Sequence, residues 1–353
     1  MILSSYKRIH RRYLMKKATI KDVSDLSGYS ISTVSRVLNG NYPVKKQTKE
    51  TILEAINKLH FTRNSVARNL RTNKTNIIGL VVADINNPYY SKIAKALDDG
   101  LFKRNYSLLV CNTDESEQKE CKILETLIDK GVDFIIISPV SKNAELLRTI
   151  KNNGINVIII DRNIGVSDFP FVGSDDFKEA KKLTEYLITR GHSKIAFITG
   201  TQKATTSQER LFGFRAALVE NHLTFSNESL IEGLYKEEMA YENITKFLKR
   251  NQHNIQPYTA IFSSNNLMTL GLIKAAKELS ISIPNDLSIV SFGQIELQDI
   301  IQPNVTCIKQ NIDSMVELIF KNIDQLADDP TATISNDFIA NSFLLGNSVK
   351  KIK

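Results

Sequence analysis

From Ile77 onward, seven short and almost uninterrupted apolar runs constrain the fold more than any other feature: 77–83, 107–111, 134–138, 157–161, 194–198, 259–262 and 287–292. Between them lie amphipathic patterns near Tyr90–Arg104, Ser116–Lys130, Asn143–Asn153, Phe177–Arg190, Ser207–Asn221, Met239–Arg250 and Leu267–Leu279. Strands that are apolar on both faces and separated by helices of ten to fifteen residues require parallel sheets covered on both sides. Seven such units exceed one small sheet, so the spacing predicts two doubly wound subdomains with ligand chemistry at the carboxyl ends of their strands.

Ahead of this body the charge changes sign. Residues 1–75 carry 16 Lys and Arg against four acids, +12, while the remainder balances at −4. A small basic head on a larger acidic body is the outline of a nucleic-acid-binding segment joined to a regulatory or catalytic domain. No apolar run approaches the length of a membrane span, and the first residues carry cations without the apolar stretch of an export signal. Cys111, Cys121 and Cys307 are odd in number and lack ligand spacing, which suits a reducing compartment, so a cytoplasmic location is expected.

Within the head, Thr19 is a good N-cap for a helix with Ile20, Val23 and Leu26 at three-residue steps, stopped by Gly28. Ser30 can cap a second helix that buries Val34, Val37 and Leu38 and turns Ile31, Ser32, Ser35 and Arg36 outward. A third, roughly Lys46 to Leu59, offers Ile52, Leu53, Ile56 and Leu59 to the core. Two short helices parted by a tight turn spell helix-turn-helix.

The run TIKDVSDLSGYSISTVSRVLNG, then VARNLRTNKT, then IGLVVADINNPYY resembles the opening of the LacI/GalR (lactose-repressor-like) transcription regulators, and the resemblance extends through about residue 345. It implies a small all-α helix-turn-helix head, residues 18–63, a hinge helix and linker, 64–74, and an α/β body, 75–345. That body would resemble type I periplasmic binding proteins, with one subdomain at 75–173 and 306–335 and the other at 174–302 and 338–345. The chain would cross between them near 173–175, 302–306 and 335–338. Residues 1–17 read as a start-site extension, with Met15 as the biological start, or as a basic arm.

The same resemblance implies that Ile31, Ser32 and Arg36 reach base edges in the major groove, while Ser30, Thr33, Ser35 and Asn39 meet phosphates or buttress the helix. Arg suits guanine O6 and N7, and Ile suits a thymine methyl. Asn64, Ala67 and Leu70 would belong to a hinge helix too short to hold alone, ordering as two copies pair in the minor groove with Leu70 as the wedge. Arg63 stands where the family usually has Pro. Effector-lining positions would be Tyr89, Tyr90, Arg162, Asp175, Arg210 and Asn265. Rings and bidentate groups suit a sugar-like ligand, although the two tyrosines also read as core residues at a helix start.

Phosphate-loop, dinucleotide, zinc-protease and nucleophile-elbow motifs do not occur, and the five histidines are scattered. His192 reads as satisfying a carbonyl or cap, and Asp175-Asp176 as turn capping in preference to a Mg²⁺ site. No cofactor or metal is expected. Ser264-Asn265-Asn266 and Ser291-Phe292-Gly293-Gln294 lack three acids usual in the family, which would leave Arg162 and Arg210 short of carboxylates and favour a sugar acid or sugar phosphate. The reading is a homodimeric regulator, a repressor of carbohydrate genes on a pseudo-palindromic double-stranded operator. Its rivals are a sugar-converting enzyme with a basic appendage and a sugar-transport binding protein.

Overall fold

The structure is a computed structural model that describes residues 18–39, 43–61, 74–140, 142, 144–252, 257–296, 298, 300, 302–332, 334 and 336–352. It divides into two compact units, 1–75 and 76–353. The expectations for residues 1–17 and for the hinge, including Asn64, Ala67 and Leu70, lie outside the described residues.

In the head, α1 (Ile20–Ser27) starts on a reciprocal cap, in which the Thr19 hydroxyl accepts from Asp22 N at 3.3 Å and Asp22 Oδ2 accepts from Thr19 N at 2.6 Å. Gly28 ends it at φ 73°, a left-handed conformation open to glycine, and donates to Ser24 O. α2 (Ile31–Asn39) starts on Ser30, whose Oγ accepts from Thr33 N at 3.2 Å. α3 (Lys46–Lys58) closes a core of Val23, Val34, Ile52 and Ala55, with Tyr29, Val37, Leu38, Ile56 and Leu59 around it. Two expected core positions stand outside: Leu26 is 49 % and Leu53 42 % exposed. The buried stripe of α3 runs through 52, 55, 56 and 59, and one step of about 100° carries Leu53 off it.

The body contains all seven expected strands and several more. β1 (Ile77–Val82), β2 (Ser107–Asn112), β3 (Phe134–Ile137), β4 (Asn156–Ile160) and β5 (Phe171–Ser174) form a sheet ordered β11-β5-β4-β3-β1-β2, closed at its edge by β11 (Asp337–Ile339) and parallel throughout. The second sheet is ordered β12-β10-β9-β8-β6-β7, from β6 (Ile195–Thr199), β7 (Leu230–Glu232), β8 (Ala260–Ser263), β9 (Ser288–Phe292), β10 (Thr306–Lys309) and β12 (Ser342–Leu344). Among the described residues only the β10–β12 pair is antiparallel.

The first sheet carries α4 (Pro88–Lys103) and α11 (Ile312–Asp328) on one face and α5 (Glu117–Asp129) and α6 (Ala144–Asn152) on the other. The second carries α7 (Asp176–Thr189) and α8 (Thr205–Glu220) on one face, α9 (Glu237–Gln252) and α10 (Asn266–Glu278) on the other. Among the described residues no helix is long and apolar enough to cross a membrane.

Two expected boundaries are corrected. β10 lies in the second sheet and α11 in the first lobe's core, so the second crossing falls at 310–311, after β10. β11 belongs to the first lobe, which puts the third crossing at 340–341. Both strands are only three or four residues long, and their sheet was settled by pairing, which composition does not specify. The chain also remains packed past residue 345: Ser348 donates to Ile289 O at 2.7 Å and Ile352 N to Arg190 O at 2.7 Å. His192 sits 1 % exposed between Thr259 Oγ1 and Lys350 O, so of the two roles expected of it, a carbonyl partner or a cap, it takes the first.

Candidate effector cleft and DNA-reading helix

On α2 the apolar and polar faces are cleanly divided. Val34 is fully buried, whereas Ile31 is 47 % exposed and Ser30, Ser32 and Arg36 are exposed too. Ser30 Oγ lies 2.9 Å from Ser32 Oγ and 2.8 Å from Thr33 Oγ1, so the helix start offers a cluster of hydroxyls, and Arg36 follows in the last turn. Thr33 and Ser35 are half-buried, as buttressing positions would be. Asn39 ends α2, and its side chain lies outside the described residues.

The strand orders place a topological switch between β1 and β3 and another between β6 and β8, and the loops at those carboxyl ends face one cleft. Asp84, Asn87, Tyr89, Tyr90, Arg162, Arg210 and Asn265 line it, with Glu115, Asp161, Thr206, Tyr235, Asn266, Phe292 and Gln310. Five of the six expected effector residues therefore meet. Tyr90 is at once core and wall: it is 4 % exposed and its hydroxyl donates to Asp161 Oδ2 at 2.8 Å. Burial, and then the Asp161 charge, hold that phenol well above its ordinary pKa. Asn265 caps α10, its Oδ1 accepting from Met268 N at 2.8 Å.

Asp175 is the exception. Its side chain caps α7, accepting from Lys178 N at 3.0 Å, and it does not line the cavity. The neighbouring Asp176 does not line the cavity either, but it holds Arg210, which does. One residue further into the helix turns the carboxylate inward, where its Oδ1 accepts from Arg210 Nε at 2.7 Å. Gly213 makes this approach possible, because a Cβ there would lie 2.2 Å from Phe177 O and push α8 away from α7.

The expectation of arginines short of carboxylates is also overturned. Arg162 binds Glu115 through both Nη atoms, at 2.9 and 2.5 Å. Arg210 binds Asp176, donates to Ser264 O at 2.7 Å, and lies with its guanidinium 3.7 Å from the Phe292 ring centre. Acids distant in sequence stand beside both cations in place of those missing from the family pattern, Glu115 at Arg162 and Asp176 at Arg210. Burial pushes the Asp176 carboxyl up to about 7, against the opposing pull of Arg210.

Sequence reasoning missed Glu115 and Tyr235. Their positions hold a usable signal, since each falls three residues beyond a strand's end, as Asp161 falls one. Glu115 (φ 60°), Asp161 (φ 63°) and Tyr235 (φ 61°) all take left-handed backbone, a strained state for such residues that concentrates at functional sites. The cavity they help to line measures about 40 Å³, room for a few waters.

A helix-turn-helix head and a two-lobed body with a polar cleft at its strand ends define a ligand-responsive, DNA-binding transcription regulator. Comparison with known proteins agrees. Residues 19–64 match the model of bacterial regulatory proteins of the lacI family, and residues 75–335 that of periplasmic binding proteins and the sugar binding domain of the LacI family. The chain belongs to the LacI family.

Its relatives include catabolite control protein A of Priestia megaterium, 31 % identical over 83 % of this chain and 87 % of that one. The transcriptional repressor PurR of Histophilus somni is 31 % identical over 87 % and 93 %. Among solved structures, the Lac repressor dimer bound to operator superposes with a TM-score of 0.81 at 22 % identity, covering 95 % of this chain and all of that one. The regulator CelR in complex with cellobiose does so with 0.69 at 22 %, covering 94 % and all of it. The matched relatives are transcriptional regulators.

Proposed function

We propose that the chain works as a cytoplasmic homodimer that represses genes of carbohydrate uptake or catabolism, each copy setting α2 into the major groove of one half of a pseudo-palindromic operator. The observation that carries this is the divided face of α2, with Ile31, Ser32 and Arg36 exposed opposite a fully buried Val34. A short helix reads only a few base pairs, so useful specificity needs two copies. Operator binding by Arg36→Ala is the test. A loss of ~1–3 kcal/mol on the specific operator, with base choice relaxed at one position per half-site, supports base readout. Equal weakening on all DNA would make Arg36 a phosphate contact, and a stable monomer on DNA in sedimentation would remove the dimer.

The effector of this reading is a neutral, polyhydroxylated sugar. Arg162 and Arg210 already hold carboxylates, which leaves hydroxyl-pairing amides (Asn87, Asn266, Gln310) and ring faces (Tyr89, Tyr235) as the recognition chemistry. Thermal shift with a panel of sugars, sugar acids and sugar phosphates decides it, since a ligand at ~100 times its Kd adds about 2.7 kcal/mol. A larger shift with the anionic members would contradict the neutral effector, and turnover of any sugar would contradict a purely regulatory role.

A further inference from the structure

Among the described residues, three ion pairs join one lobe to the other around the mouth of the cleft. Asp84, in the turn after β1, accepts from Lys236 Nζ of the second lobe at 2.6 Å. Lys92 on α4 pairs with Glu296, beyond β9, at 2.6 Å, and Lys203, just ahead of α8, with Glu117 at the start of α5 at 2.8 Å. The first lobe thus offers two acids and a base at the three points, and the second offers two bases and an acid. Such a pattern favours one register of closure, because another rotation would bring like charges together.

The outer two pairs are exposed and individually worth little. The inner one differs. The Asp84 side chain is only 10 % exposed, its other oxygen accepts from Asn86 N at 3.1 Å, and Lys236 is its cation from across the cleft. Lys236 also follows two consecutive left-handed residues, Leu234 (φ 52°) and Tyr235 (φ 61°), and such a strained turn persists only where the surroundings enforce it.

We propose that Asp84 and Lys236 form a built-in latch: the chain supplies the contact that closes its own cleft, and a ligand enters the small cavity only after Lys236 has left Asp84. Closure is then an equilibrium that this pair biases beside the Asn266 Nδ2 to Asn87 Oδ1 hydrogen bond at 3.0 Å, and any effector works against it whatever its identity. The inference does not depend on which sugar, if any, the cleft recognises.

Hydrogen exchange on the full-length protein, with no ligand added, tests it through Lys236→Met, Asp84→Asn and the swap Asp84→Lys with Lys236→Asp. Either single variant should raise exchange roughly tenfold in cleft-facing segments of both lobes, 84–92 and 113–120 in one, 203–210 and 233–240 in the other. Sheet strands β3 and β8 should not change, and the swap should restore protection. Salt at ~0.5 M should shift the wild type in the same direction. Unchanged exchange in both single variants, a rise confined to 233–240, or a swap that restores nothing would each overturn the latch.

Discussion

The two lobes each bury an arginine beside the cleft, and they neutralise it differently. Arg162 in the first lobe takes a two-pronged grip on Glu115, at 2.5 and 2.9 Å. Arg210 in the second reaches one oxygen of Asp176 through Nε and spends its remaining reach on a carbonyl and the Phe292 ring. A forked pair engages both carboxylate oxygens, although Arg162 Nε makes no hydrogen bond, whereas a single-oxygen contact leaves the buried carboxylate under-compensated, and burial pushes Asp176 up to about 7. The lesson concerns what each ion does when its partner is lost. A stranded carboxyl can take a proton, but a stranded guanidinium stays charged.

The largest effect should therefore come from Glu115→Ala, which strands Arg162 in a 3 % exposed site: a loss of about 3–5 kcal/mol in chemical denaturation, nearly independent of pH from 6 to 8. Arg210→Ala should cost less, on the order of 2–3 kcal/mol at pH 8, and less again at pH 6, because the freed Asp176 can be protonated. Equal losses with the same pH response would erase the distinction between the lobes.

The third test sharpens it through pH alone. A carboxyl whose folded pKa is raised binds more protons folded than unfolded, so its stabilising contribution is present below about 4 and is lost as pH rises through about 7. Wild-type stability should include this downward component between those limits, and Asp176→Asn should remove it, as seen in melting temperature against pH. A slope unchanged by the substitution would assign the dependence elsewhere.

The smallest effect concerns what holds the lobes in common. Asn341, in the third crossing, donates to Ser174 Oγ at 2.9 Å in the first and accepts from Asn311 N at 3.3 Å in the second. Asn341→Ala removes both bonds, for about 1–2 kcal/mol. Its sharper signature should be a weaker operator response to a bound effector with effector affinity preserved, since the crossings couple the lobes.

Periodicity alone determined a good deal of this protein. The caps at Thr19 and Ser30, the stop at Gly28, the split face of α2 and all seven long apolar strands follow from local rules, because capping and amphipathic burial act within a few residues. α11 was legible as well, with Met315, Val316, Ile319, Ile323 and Leu326 at helical spacing behind the Asn311 cap, and it went unnamed. What only the tertiary structure decided were pairings across long separations. These include the sheets of β10 and β11, Glu115 meeting Arg162 across 47 residues, Asp176 rather than Asp175 meeting Arg210 across 34, and Lys236 meeting Asp84 across 152. A chain can specify that a carboxylate sits at a strand's end, but which cation it meets depends on how two lobes, each built from discontinuous segments, bring their loops to the same cleft.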